Sequence, residues 1–229
     1  MKTEFRASGD RSLLAVYGSG VDQAANEKVR QMAALLSGRS HPGIEAAVGS
    51  YCTLMLHYNP LHIGFEELTR HLLDLEKTLG EVVVEGAKTV EIPVCYGGEF
   101  GPDLSFVAQH AGMGTNEVIA LHSAVSYHIY AIGFAPGFCY LGGLDPRLHA
   151  PRLMTPRQNV PAGSVGIAAS QTGVYPLASP GGWQLIGRTP LRLFAPERQQ
   201  PILYQPGDSI RFRPVAEDEF RHIYQLDNP

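Results

Sequence analysis

Several features are scarce in this chain of 229 residues, and each scarcity excludes a class of protein. The three cysteines lie far apart, so neither a disulfide framework nor a paired-cysteine metal site can be built from them. No apolar run approaches the roughly 20 residues of a membrane-spanning helix, and the polar N-terminus does not resemble a secretion signal. The net charge of −4 provides no positive surplus for a phosphate backbone. We therefore expect a cytoplasmic protein that binds neither nucleic acid nor membrane.

Lysine is missing from most of the chain. The four lysines lie at or before Lys88, whereas 15 of the 17 prolines lie at or after Pro93. This change in composition predicts two domains, residues 1–87 and 88–229. A Walker-type phosphate loop needs a lysine that reaches the phosphates, so no such nucleotide motif exists in the second domain.

Hydrophobic periodicity predicts alternating strands and helices in the first domain. Two helices with one apolar face each are expected, the first capped by Asp22 and the second ended by Gly80. Strands are expected over 12–17, 44–48, 52–58 and 81–85. The pattern predicts a small α+β sandwich with both helices on one face of the sheet.

Short β runs dominate the second domain. A strand over 89–96 is followed by two short helices, over 103–111 and over 116–123 with Thr115 as the cap, and helical periodicity ends near Ala135. Further β runs alternate with Pro-Gly turns and cover 127–134, 164–169, 183–186, 191–194 and 209–214. This pattern predicts a closed or nearly closed barrel.

Three familiar kinds of motif are weak in this sequence. Gly112-Met113-Gly114 lacks the third glycine and the preceding strand of a dinucleotide fingerprint, which favours a turn between helices. Ala162-Gly163-Ser164-Val165-Gly166 resembles a nucleophile elbow, but a strand-like run follows Ser164 where a helix is required. The nine histidines include no pair at metal-binding spacing, so we predict no metal site. Only His122, which leads into the strand before the Gly-Pro loop, is kept as a candidate.

The segment 133–190 is rich in proline and glycine, which indicates ordered loops of the kind that carry function. Arg152 and Arg157 stand between prolines and are suited to bind a carboxylate or phosphate with a rigid fork. Gln171 and Thr172 are suited to an amide edge, and Trp183 to the wall of an apolar pocket. An open alternative is that the arginines pair with acids of the chain itself, such as Asp145.

Long motifs in both domains resemble one family. They are GDRSLLAVYG and GIEAAVGSYCTLMLHYNP in the first domain, and IPVCYGGEFGPDL, LHS, GFAPGFCYLGGLDPRL, TPRQNVPAGSVGIA, QTGVYP and SPGGWQLIGRTP in the second. Through them the chain resembles the family of 5-oxoprolinase B subunits, also called allophanate hydrolase subunit 1, which includes an inhibitor of a sporulation sensor histidine kinase. The resemblance covers nearly the whole chain.

The resemblance implies a ferredoxin-like N-terminal domain followed by a cyclophilin-like β-barrel. It implies the B subunit of an ATP-dependent 5-oxoprolinase that hydrolyses 5-oxo-L-proline to L-glutamate with an A subunit and a cyclophilin-like C subunit, and is inactive without them. ATP is then a cofactor of the complex, without a local nucleotide motif in this chain. Two alternatives stay open, an inhibitor of a sensor histidine kinase and an accessory protein that handles urea or allophanate.

Under this interpretation the loop residues receive roles in amide hydrolysis, where preorganised donors stabilise the charge that develops on the amide oxygen. We expect His122, Arg157 and Gln171 to be catalytic, with His122 as a proton carrier. The turn at Gly163 and Ser164 is expected to present backbone N–H groups. The residues expected to bind the small amide substrate are Arg152, Gly163, Ser164, Thr172, Tyr175 and Trp183.

Overall fold

The structure, a computed structural model, describes residues 3–38, 41–79 and 87–227. The chain divides into two compact units, Met1–Gly86 and Ala87–Pro229, and each unit has its own hydrophobic core. The strand predicted over 81–85 lies outside the described residues. Among the helices that the structure describes, none combines the length and apolar character needed to cross a membrane.

In the described residues of the first unit, the chain forms a four-stranded antiparallel sheet and two helices. Its strands are β1 Glu4–Ala7, β2 Ser12–Val16, β3 Ile44–Gly49 and β4 Thr53–Tyr58, in the spatial order β1-β2-β4-β3. Helix α1 spans Gln23–Gly38 and helix α2 spans Phe65–Glu76. The Oδ1 atom of Asp22 accepts a hydrogen bond from the Ala25 amide at 2.8 Å, which confirms the predicted cap of α1.

Both helices of the first unit cover the same face of its sheet. Buried and partly exposed residues alternate along β2 and β4, as expected for a sheet with one covered face. The buried strand residues share one apolar cluster with both helices, and its members include Leu13, Ala15, Leu54, Leu56, Val29, Met32, Leu68 and Leu72. This arrangement agrees with the predicted α+β sandwich.

A closed barrel forms the second unit. Its strands are β5 Thr89–Tyr96, β6 Ser126–Ile132, β7 Cys139–Gly142, β8 Arg157–Val160, β9 Ser164–Ala168, β10 Gln171–Val174, β11 Ser179–Gly181, β12 Gln184–Arg188 and β13 Ser209–Pro214. Seven of them close in the order β10-β7-β6-β13-β5-β12-β9, and β11 pairs separately with β8. Only β13 and β5 run parallel among these pairs. The prediction of a barrel is confirmed.

Three helices accompany the barrel, namely α3 Leu104–Ala111, α4 Thr115–Ser123 and α5 Glu217–Asp227. Helix α3 packs against β12 and helix α4 against β13. The barrel interior is filled by large apolar side chains, among them Ile92, Val94, Tyr127, Ile129, Leu141, Ile167 and Phe212. This packed interior leaves the loops outside the barrel as the place for a ligand.

Several details of the second unit differ from the sequence prediction, among them the four strands β7, β8, β10 and β11, which were not predicted. Helix α4 begins at Thr115 itself, and Gly114 is its cap residue. The segment predicted as a strand over 191–194 is irregular, because the Arg192 amide bonds to the Asp227 carboxylate instead of a neighbouring strand. Helix α5 is absent from the prediction, although three acidic residues in its first turn are a common signal for the start of a helix.

Candidate active site

A cavity of about 340 Å³ lies on the second unit, among the loops that follow β6, precede β8 and flank β11. It is lined by Phe134, Phe138, Tyr140, Arg152, Leu153, Pro156, Tyr175, Pro180, Gly181, Gly182 and Trp183. An apolar, mainly aromatic lining with one charged side chain is typical of small-molecule sites. Three of the predicted site residues, Arg152, Tyr175 and Trp183, come together here.

Phe138 organises the aromatic wall of the cavity. Its ring makes edge-to-face contacts with Tyr140, Tyr175 and Trp183, at centroid distances of 5.1, 5.4 and 5.7 Å. Such contacts are favoured by the ring quadrupoles and hold each ring in place. Burial raises the pKa of Tyr175, so its hydroxyl stays protonated at neutral pH. The wall is therefore rigid, apolar and uncharged.

Arg152 is the charged group of the cavity. Its side chain makes no hydrogen bond or ion pair within the described ranges of the chain, so its donors are available to a ligand. The backbone on both sides of it is fixed. The Gln184 side chain donates to the Pro151 carbonyl at 2.9 Å, and the Leu153 amide donates to the Gly182 carbonyl at 2.8 Å. The guanidinium extends from this fixed backbone, and its paired N–H donors match the geometry of a carboxylate.

Arg157 lies outside the cavity lining and forms an ion pair. Its Nη2 donates to both carboxylate oxygens of Asp103 at 2.8 Å, and its Nη1 donates to the Trp183 carbonyl at 3.3 Å. Asp103 also accepts the Leu185 amide at 2.7 Å. The pair therefore holds the Trp183 carbonyl and the Leu185 amide, on either side of the first residue of β12. Trp183 is part of the cavity wall.

This ion pair corrects the role expected for Arg157. The prediction that Arg157 orients an anionic group is not supported, because Asp103 already neutralises its charge. Arg157 pairs with an acid of the chain, as the alternative expected, but the acid is Asp103 and not Asp145. Asp145 pairs with Arg147 instead.

His122 lies inside the barrel and is completely buried. Its Nε2 is 2.8 Å from the hydroxyl of Thr172, which donates to the Gly166 carbonyl at 3.1 Å. Thr172 therefore accepts from Nε2–H, and Nδ1 accepts from the Tyr96 hydroxyl at 2.8 Å. Burial lowers the pKa of His122 to about 3, which keeps the ring neutral.

The chain of hydrogen bonds from Tyr96 through His122 to Thr172 changes two expectations. The hydroxyl of Thr172 is buried and satisfied, so it is not available to bind the edge of an amide. The geometry gives no support to His122 as a proton carrier, because both of its ring nitrogens bond within the barrel. Gln171 begins β10 and is not part of the cavity lining, and its catalytic role stays a prediction.

Gly163 and Ser164 also belong to the barrel scaffold. The Gly163 amide donates to the Tyr175 carbonyl at 2.7 Å, and the Ser164 amide donates to the Pro161 carbonyl at 3.2 Å. The expected free N–H donors are thus already used, which corrects the prediction for this turn. Gly163 has φ +83°, and an added Cβ would collide with the Thr189 carbonyl, so only glycine fits.

Sequence reasoning located the loop segment of the cavity but missed several of its residues. Phe134, Leu153 and the Gly181-Gly182 pair line the cavity and were not among the expected site residues. The signal for Phe134 and for the glycine pair is the placement of an aromatic residue close to glycine and proline, whereas Leu153 carries no such signal. Trp183 shows the same signal, and Arg152 was predicted from its charge beside Pro151.

The cavity does not fit a nucleoside triphosphate. A polyphosphate is held by several cationic side chains or convergent backbone N–H groups, whereas this lining contributes a single arginine. The residues suit a small molecule with a flat apolar body and one anionic group.

Comparison with known proteins places the chain in a family. The sequence profile of the carboxyltransferase domain, subdomain C and D, matches residues 3–204. The chain is 40% identical to the 5-oxoprolinase B subunit of Bacillus subtilis (strain 168), over 95% of this chain and 94% of that protein. It is 49% identical to the 5-oxoprolinase B subunit of Escherichia coli O157:H7, over 76% and 79%. The chain belongs to the carboxyltransferase C and D class and, within it, to the family of 5-oxoprolinase B subunits, which confirms the resemblance.

Solved structures share the fold. The crystal structure of TTHA0988 superposes with a TM-score of 0.80 at 38% identity, over 90% of this chain and 40% of that chain. This chain therefore spans less than half of that polypeptide.

A more distant relative in sequence, a putative urea carboxylase of Emericella nidulans, is 25% identical over 97% of this chain and 21% of that protein.

Proposed function

We propose that this chain is the B subunit of a multi-subunit 5-oxoprolinase, which hydrolyses 5-oxo-L-proline to L-glutamate at the expense of ATP. The observation that carries the proposal is the unpaired Arg152 beside a rigid aromatic cavity, in a chain that aligns with relatives named as 5-oxoprolinase B subunits. The ATP-dependent activity belongs to the complex with the A and C subunits, and the chain alone is inactive.

The proposed substrate matches the cavity in shape and charge. 5-Oxo-L-proline is a small five-membered lactam ring with one carboxylate. The guanidinium of Arg152 binds that carboxylate with two parallel hydrogen bonds, and Tyr175 and Trp183 shape the apolar wall beside the lactam ring. These three residues form the substrate-binding set of the proposal.

The remaining chemistry lies with the partner proteins. A lactam amide is a poor electrophile, and the cavity lining has no second charged side chain that could activate it. The proposal therefore assigns ATP to the partners and substrate binding to this chain. The cytoplasm is the proposed location, because the three cysteines are free thiols, as is usual in a reducing compartment.

The proposal includes a finer description of the two units. A ferredoxin-like first unit is supported by the strand order β2-β4-β3 with both helices on one face of the sheet. It differs in one respect, because β1 lies beside β2, where a ferredoxin-like sheet has its last strand. A cyclophilin-like second unit is supported by the closed barrel flanked by α3 and α4. Neither likeness fixes the activity, since one fold serves many functions.

Reconstitution tests the proposed function. The full chain is co-purified with its candidate A and C subunits, and ATP-dependent release of glutamate from 5-oxo-L-proline is measured. A control preparation omits only this chain. The proposal expects activity that disappears in the control. An assembled complex that releases no glutamate, or a control with full activity, contradicts it.

A second candidate is the handling of urea or allophanate. It is favoured by the relative named putative urea carboxylase, which aligns over 97% of this chain. Of the two molecules, allophanate has a carboxylate that can pair with Arg152, whereas urea has none. The same complex is therefore assayed with allophanate and urea in place of 5-oxo-L-proline, and turnover of allophanate alone favours the second candidate.

A further inference from the structure

Phe134 has an unusual backbone conformation at the mouth of the aromatic cavity. Its φ of 65° lies in the left-handed region, which bulky side chains rarely adopt. Ala169 is the one other non-glycine residue with positive φ in the ranges that the structure describes, and it does not line the cavity. Residues held in this region often lie at ligand sites, where the surrounding structure enforces the strain.

A tight turn enforces the conformation of Phe134. The Gly133 amide donates to the Phe138 carbonyl at 3.0 Å, the Ala135 amide to the Gly133 carbonyl at 2.8 Å, and the Phe138 amide to the Ala135 carbonyl at 2.9 Å. The Phe134 ring makes an edge-to-face contact with Phe138 at 5.4 Å. The turn therefore holds Phe134 in the lining of the cavity.

The exposure of this ring separates it from the other aromatic residues of the site. Phe134 is 66% exposed, whereas Tyr175 and Trp183 are 2% and 7% exposed. The buried rings have little surface left to remove from water when a ligand enters. Phe134 has a large apolar surface to bury, and burial of apolar surface favours binding.

We propose that Phe134 is a ligand-contacting residue whose ring covers the outer side of the cavity and packs on a small planar anion held by Arg152. This inference rests on the proposed function, which assigns substrate binding to the cavity. The strained turn then has a purpose, since it holds the ring in the binding position before the ligand arrives.

Two probes and four variants test the role of Phe134 in the full chain. Binding of 5-oxo-L-proline is followed through the fluorescence of Trp183, the single tryptophan. Binding of an anilinonaphthalene sulfonate, an aromatic anion with a flat naphthalene ring, is followed through the fluorescence of the dye. Phe134→Ala and Phe134→Gly both remove the ring but differ in backbone strain, which glycine relieves. Phe134→Tyr keeps the ring, and Ala169→Gly relieves strain outside the cavity.

The expected results separate contact from strain. Phe134→Ala and Phe134→Gly weaken binding equally, by about tenfold, the loss expected for one aromatic contact and its buried area. Phe134→Gly has the higher melting temperature of the two, Phe134→Tyr binds like the wild type, and Ala169→Gly leaves binding unchanged. Unchanged binding in the two ring-deleted variants overturns the inference. Binding that is weaker in the less stable Phe134→Ala than in Phe134→Gly also overturns it, because the residue then acts through the loop.

The two probes distinguish failure of the inference from failure of the proposed function. If the wild type binds the dye but not 5-oxo-L-proline, and ring deletion weakens dye binding, Phe134 keeps its role and the proposed substrate is wrong. If 5-oxo-L-proline binds and ring deletion has no effect, the proposed function stands without Phe134. If the wild type binds neither probe, both proposals are wrong.

Discussion

The ion pair between Asp103 and Arg157 determines the position of the cavity wall and allows a quantitative prediction. Asp103→Asn removes the charge but keeps an oxygen for the Leu185 amide, whereas Asp103→Ala removes both. Either change leaves the guanidinium of Arg157, whose side chain is 29% exposed, without its counter-charge. The perturbation therefore acts on the start of β12, where Trp183 is held.

The expected loss of stability lies between that of surface pairs and that of buried pairs. Exposed ion pairs contribute up to about 1 kcal/mol, and removal of one partner of a fully buried pair costs about 3–5 kcal/mol. Because the two side chains are 29% and 14% exposed, we expect Asp103→Asn to cost about 2 kcal/mol. Asp103→Ala also leaves the Leu185 amide unsatisfied, so it should cost about 3 kcal/mol.

Urea unfolding followed by the fluorescence of Trp183 measures these losses, because the single tryptophan lies in the second unit and reports on that unit. Arg157→Gln and the double variant with Asp103→Asn complete a double-mutant cycle, with an expected coupling of about 1–2 kcal/mol. Glu91→Gln, which breaks an exposed pair with Arg213 in the same unit, is the matched control and should cost less than about 1 kcal/mol. A coupling near zero, or a cost of Asp103→Asn no larger than that of the control, refutes the reasoning.

Two further predictions concern residues of the barrel. Burial lowers the pKa of His122 to about 3, while in the unfolded chain a histidine titrates near its ordinary value of about 6.5. The unfolded chain thus binds the extra proton between these values, and stability falls as pH falls through this window, by up to about 1.4 kcal/mol per pH unit. The free energy of unfolding, measured with urea between pH 4 and 7, should change less with pH in His122→Gln than in the wild type. An unchanged pH dependence contradicts the assignment. Gly163→Ala should lower the free energy of unfolding by more than about 2 kcal/mol, because φ is positive and the new Cβ meets the Thr189 carbonyl. Gly143 also has positive φ but lies in open space, so Gly143→Ala should lower it by only about 1 kcal/mol. Equal losses in these two thermal or urea denaturation series contradict the steric argument.

Local sequence signals account for much of the fold. The cap at Asp22, the period-two burial of β2 and β4, and the Pro-Gly turns of the barrel are all properties of neighbouring residues. They are readable because helix caps, strand alternation and turns depend on spacings of a few residues. Arg152 and Trp183 could be predicted for the same reason, since rigid loops with arginine and aromatic residues are typical of binding sites.

The remaining features depend on pairings between distant parts of the chain. Arg157 finds its acid at Asp103, 54 positions away, and no local pattern indicates that partner. The Gly163 amide bonds to the Tyr175 carbonyl, 12 positions away, and the Ser164 amide bonds to the Pro161 carbonyl of the same turn, so neither backbone N–H is available to a ligand. His122 has the appearance of a candidate acid or base in sequence, and burial inside the barrel makes it a neutral hydrogen-bonding group.

The central claim is that the cavity beside Arg152 binds the substrate of the complex. The most direct test is the rate of glutamate release from 5-oxo-L-proline by the reconstituted complex that carries Arg152→Ala, with Ala169→Gly as the control. Arg152 is exposed and makes no bond within the described part of the chain, so assembly and melting temperature should be unchanged. Loss of a charge-assisted contact of about 1.5–3 kcal/mol should lower kcat/KM by about 10- to 150-fold, mainly through KM. Wild-type kcat/KM in the Arg152→Ala complex would contradict the account.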